Sequence, residues 1–99
     1  MTNTALIIDS DVQFVCSIKP LLENELGVTV VIAKNGDHGI TSFYSKPFLF
    51  VLLDLRQPDS YPCGLRVLHK IREICSYTKV VVITEVHLYV FRVTPIMIS

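Results

Sequence analysis

The chain carries no excess of charge. Nine basic and nine acidic residues cancel, and charged side chains make up 18% of its 99 residues. No run of Lys and Arg forms a stripe, so nucleic-acid binding has no electrostatic support. No apolar run reaches the roughly 20 residues that span a bilayer. The apolar stretch Val86–Ile98 is short and interrupted by Arg92. The start, Met1-Thr2-Asn3-Thr4 before a four-residue apolar run, resembles neither a signal peptide nor a membrane anchor. Cysteines are three, Cys16, Cys63 and Cys75, at unrelated spacings. An odd set of this kind argues against a disulfide framework and for buried thiols in a reducing, cytoplasmic compartment. His38, His69 and His87 show no ligand spacing, which argues against a zinc site. The sequence has no Gly-rich phosphate loop and no nucleophile–base pair, so an ordinary enzyme acting on a small molecule is not indicated. With no repeat, low-complexity tract or linker, residues 1–99 read as a single domain.

Hydrophobic residues are 51% of the chain, enough for a modest core. The central stretch is Phe48-Leu49-Phe50-Val51-Leu52-Leu53-Asp54-Leu55-Arg56-Gln57-Pro58. Six apolar residues run straight into a carboxylate. A short continuous run of this kind predicts a strand buried on both faces of a parallel sheet. Asp54 then falls at the strand's C-terminal rim, where open α/β sheets bind ligands; the plainer alternative is a solvated strand end.

Similar short runs recur. Ala5-Leu6-Ile7-Ile8 ends in Asp9-Ser10-Asp11, and a helix is predicted from about Asp11 to Leu26. Val12, Val15, Cys16, Ile18, Leu22 and Leu26 form its apolar side. Ser10 and Gln13 match a capping box, with Ser10 as N-cap. Pro20 predicts a kink or a helix in two pieces, and Gly27 a stop. Val28–Ala33 predicts a second strand. A helix over about Asp37–Ser45 follows, weakened by Gly39 by up to about 1 kcal/mol. After the central strand, Gly64 opens a third helix to about Cys75, and Lys79–Thr84 is a fourth strand. The order βαβαβαβ predicts a parallel sheet with right-handed crossovers. Beyond Thr84 the pattern fails: Glu85-Val86-His87 is too short for a crossover helix. A strand over Leu88–Val93 therefore joins the sheet in parallel by an unusual route, runs antiparallel, or pairs with another chain.

Asp9 and Asp54 are thus expected at one edge of one sheet, with Thr84 ending a third strand there. Carboxylates converging at such a rim suit Mg²⁺, and a carboxylate beside such a cation can attack a phosphoryl group. Here the chain resembles the response-regulator receiver (CheY-like) family of two-component signalling. The resemblance lies in Leu6-Ile7-Ile8-Asp9-Ser10-Asp11, Asn35-Gly36-Asp37, Pro47 through Pro58, Gly64-Leu65-Arg66-Val67-Leu68, Ile71-Arg72 and Val80-Val81-Val82-Ile83-Thr84. It covers about residues 4–84 and leaves 85–99 as a divergent apolar tail. It implies a flavodoxin-like, doubly wound parallel sheet of order 2-1-3-4, with a fifth strand left open, lacking the usual fourth and fifth helices. It also implies Asp54 as phosphoacceptor, Asp9 in the acidic pocket, Thr84 as switch hydroxyl and the Arg56 carbonyl as a metal ligand. A histidine kinase or another signalling protein would be the partner, and catalysis would be limited to self-phosphorylation and autodephosphorylation at Asp54.

The departures from the family pattern carry equal weight. Ser10 stands where a second acid is usual, and a hydroxyl is a poorer Mg²⁺ ligand. The loop between Asp54 and Gly64 is two residues longer than the norm. The usual lysine ending the fifth strand has no clear counterpart; in one alignment Thr94 replaces it, and in another everything after Thr84 is unrelated sequence. Strand alternation points Arg56 to the same side as Asp54, so its guanidinium is a candidate substitute cation; the plainer reading is an exposed loop Arg. Three readings follow. One is an atypical receiver with impaired phosphorylation, acting by protein–protein interaction. The second is a working Mg²⁺-dependent phosphoacceptor, and the third an inactive remnant. Without its later helices the apolar strands also predict a homo-oligomer through residues 84–98.

Overall fold

The computed structural model describes residues 3–55, 64–83 and the backbone of 88–91. Their elements are β1 (Thr4–Ile8), α1 (Val12–Leu26), β2 (Thr29–Ala33), α2 (Gly36–Ser45), β3 (Phe50–Asp54), α3 (Gly64–Ile74), β4 (Lys79–Ile83) and β5 (Leu88–Phe91). They build one sheet of order β2-β1-β3-β4-β5. Strands β1 to β4 are parallel, as expected for a doubly wound sheet. β5 runs antiparallel to β4, with Ile83 opposite Leu88 and Val80 opposite Phe91. This resolves the alternatives left by the sequence. Only residues 84–87 separate β4 from β5. A parallel return needs about a dozen residues, so the usual fourth helix has no room. The expected lack of a fifth helix falls on residues 92–99, outside the described residues, as do residues 92 and 93 of the expected fifth strand.

Strand alternation divides the core. Leu6, Ile8, Val51, Leu53, Val80 and Val82 pack on one side with Phe43 of α2 and Val67, Leu68 and Ile71 of α3. Ala5, Ile7, Leu52 and Ile83 pack on the other with Val15 of α1. Gly39 has a specific reason to lack a side chain: a Cβ there would lie 2.5 Å from the Ile8 side chain. The residue that weakens α2 locally is what lets it lie close over β1.

Several local expectations need correction. The N-cap of α1 is Asp11, not Ser10: the Asp11 side chain accepts from the Phe14 amide at 3.2 Å, and Ser10 is exposed. The helix starts one residue later than a Ser10 cap requires. Of the two outcomes expected at Pro20, a helix in two pieces does not occur: α1 is continuous from Val12 to Leu26. Pro20 and Cys16, whose carbonyl loses its helical donor, are both exposed, so water can serve that carbonyl. The apolar face of α1 is also narrower than predicted. Val15 is buried and Ile18 and Leu22 are half-buried, while Val12, Cys16 and Leu26 are exposed. Tyr44 on α2 is exposed as well. Gly27 is the predicted stop, with φ 65° and its amide donating to the Glu23 carbonyl at 3.1 Å.

Candidate functional site

β1 lies between β2 and β3, so the chain leaves β1 for one neighbour and returns on the other side. That reversal is the switch point of an open α/β sheet, and ligands bind in the crevice beyond the strand ends there. Asp9 and Asp54 occupy this place. Ile8 is in register with Leu53, so the next pair along the two strands is Asp9 beside Asp54. Adjacent strands run about 4.8 Å apart, and alternation turns both carboxylates toward the side that α1 covers. Both are buried, at 4% and 8% exposure. The Asp9 amide donates to the Ala33 carbonyl at 3.0 Å and the Leu55 amide to the Ile83 carbonyl at 2.9 Å. These two bonds carry the ladder past the strand ends and hold the backbone on both sides of the pair.

The turn after β1 sets how many acids face this crevice. Asp9 Oδ1 accepts from the Asp11 amide at 2.8 Å, closing a side-chain turn at the helix entry. Asp11 in turn caps α1 through the Phe14 amide. Its carboxylate is therefore held at the helix start and does not replace the acid missing at position 10. Ser10 is exposed between the two. Among the described residues no group of three or more His, Cys, Asp or Glu side chains forms a metal site. Two carboxylates with oxygen donors do fit a hard cation that keeps most of its waters. Arg56, Thr84 and the extended loop lie outside the described residues.

Three features were not anticipated from the sequence. Glu23 of α1 and His38 of α2 each accept a backbone amide from the β2 edge, at 3.4 Å. The third is Cys75, just past α3. The Thr78 hydroxyl and then the Tyr77 amide bond its sulfur and hold the thiol below its ordinary range, against a smaller opposing effect of burial. The only sequence signal for this was a Cys-Ser-Tyr-Thr turn closing a helix.

No protein-family model and no curated protein matches the sequence. Solved structures do match. A receiver domain protein from Clostridium thermocellum is similar at 25% identity and TM-score 0.72, over 83% of this chain and 64% of that one. The complex of histidine kinase ThkA with response regulator TrrA contains a similar chain at 27% identity and TM-score 0.75, over 90% and 73%. A Burkholderia pseudomallei response regulator with a phosphorylated aspartic acid and a calcium ion is similar at 22% identity and TM-score 0.72, over 81% and 45%. This chain therefore spans under two thirds of the first and third of these relatives. It has the receiver fold of the CheY-like response regulators, and its structural neighbours are receiver domains of two-component systems. Among the described residues no helix is long and apolar enough to cross a membrane.

Proposed function

We propose that this single domain is an atypical receiver module of a two-component phosphorelay, with phosphorylation at Asp54 impaired and signalling carried by protein–protein contact. One observation carries the reading: Asp9 in the turn after β1 and Asp54 at the end of β3 are buried carboxylates, while Ser10 is neutral and exposed and Asp11 caps the helix. Asp54 would be the phosphoacceptor, and Asp9 and Asp54 would hold Mg²⁺ with the Arg56 carbonyl and, weakly, Ser10. Bound Mg²⁺ would neutralise charge on the incoming phosphoryl group. Asp9 would anchor it while its own Oδ1 stays fixed by the Asp11 amide. Thr84 would bond the transferred group, and Arg56 would stand in for the absent lysine. With one carboxylate fewer, cation affinity falls and so does the rate of transfer.

A histidine kinase, or another signalling protein in the cytoplasm, is the partner. The ThkA–TrrA complex supports the kinase as a candidate. Nucleic acid and membrane are not partners in this reading, and catalysis is at most self-phosphorylation and autodephosphorylation. The buried, in-register placement of Asp9 and Asp54 also favours a second reading, a working phosphoacceptor. Incubation with acetyl phosphate and Mg²⁺, followed by intact mass measurement, separates the two. Impaired transfer predicts little or no phosphoryl adduct on the parent and none on Asp54→Asn. A stoichiometric adduct on the parent alone would establish the second reading.

A further inference from the structure

The edge strand β2 has an arrangement that the receiver reading does not use. In a parallel ladder, alternate residues turn their amides toward the neighbour and away from it. The Thr29 amide donates inward to the Asn3 carbonyl at 2.9 Å, and the Ala33 carbonyl accepts inward from the Asp9 amide at 3.0 Å. Residues 30, 32 and 34 therefore point their amides outward, off the open edge of the sheet. Two of these three carry side-chain acceptors. The Val30 amide donates to Glu23 Oε2 at 3.4 Å, and the Lys34 amide donates to His38 Nδ1 at 3.4 Å. Glu23 is steadied by Lys19, whose Nζ lies 3.3 Å from Oε2. The two acceptors come from different helices, α1 and α2, which cover opposite faces of the sheet.

An incoming strand must offer carbonyls to these outward amides, and it meets a carboxylate and an imidazole already there. Unprotected sheet edges invite strand addition, and natural proteins block them with charged side chains. We infer that Glu23 and His38 are edge guards that close β2 to pairing with the edge strand of a second copy of this chain. The guard is chemical as well as steric: each acceptor removes a donor that the new ladder would need, and the Glu23 carboxylate would be desolvated by a strand laid over it.

The test compares the parent with Glu23→Ala/His38→Ala and with Glu23→Gln, which keeps an acceptor oxygen. In the parent, hydrogen exchange at the Val30 and Lys34 amides is expected to be about five- to tenfold slower than in the double variant, the effect of one modest hydrogen bond each. The double variant is expected to reach a higher mass than the parent by light scattering, growing with concentration, while Glu23→Gln stays at the parent's mass. A double variant that melts with the parent and keeps its mass at every concentration would overturn the inference. Unprotected Val30 and Lys34 amides in the parent would overturn it as well, and that arm does not depend on the variants folding.

Discussion

At the scale of single residues, the chemistry turns on what each side chain is already holding. Asp11 looks in sequence like a spare acid beside the pocket, yet its carboxylate bonds the Phe14 amide and starts α1. Its role is therefore separable from that of Asp9. Asp11→Ala is expected to cost about 1 kcal/mol, the usual loss of an Asp cap, read from the urea midpoint. It should leave any acetyl phosphate labelling of Asp54 unchanged. Cys75 gives a pH-dependent readout. Its thiol lies below its ordinary value because the Thr78 hydroxyl, then the Tyr77 amide, bond the sulfur. A folded-state pKa below the unfolded one adds stability above the unfolded value and loses it as pH falls through the folded value. In a variant with Cys16 and Cys63 replaced by Ser, alkylation of Cys75 should titrate below the range of a free thiol. Thr78→Val should move that titration upward; no movement would exclude the Thr78 hydroxyl as the cause.

At the scale of elements, the sequence was informative wherever burial alone fixed the structure. Four apolar runs separated by helical patterns placed β1 to β4 and α1 to α3 to within one or two residues, because strands buried on both faces have no other composition open to them. Asp9 and Asp54 were legible for the same reason: a carboxylate that ends such a run has to sit at its rim. The misassignments fell where competing local chemistry decides. Ser10 and Asp11 are both good caps, and the choice rests on Asp9 drawing the Asp11 amide to itself. Pro20 forbids a helical bond in principle, but an exposed position lets water take the orphaned carbonyl. Gly39 looked like a weak point in α2; its closeness to Ile8 is a tertiary fact that no local pattern encodes. Gly39→Val should therefore destabilise by roughly 1–3 kcal/mol through overpacking, seen as a lower melting temperature.

At the scale of the whole molecule, the sheet has unlike edges. β2 is guarded by side chains from two helices, whereas β5 presents Leu88-Tyr89-Val90-Phe91 with no charged residue in the strand. An edge strand without a charged residue is open to pairing with another chain. We expect a homodimer through residues 84–98, measured by size-exclusion chromatography with light scattering. A clean monomer at micromolar concentration would contradict that expectation. The scaffold is otherwise the receiver fold, with four residues between β4 and β5.

Cation binding at Asp9 and Asp54 can be measured directly. Calorimetric titration of Mg²⁺ into the parent and into Ser10→Asp places the missing carboxylate under experimental control. Weak binding is expected for the parent and binding at least about tenfold tighter for the variant, as an added charged oxygen ligand requires. Equal affinities, with the parent binding as tightly as Ser10→Asp, would overturn the proposal of impaired phosphorylation and favour Asp54 as a fully equipped phosphoacceptor.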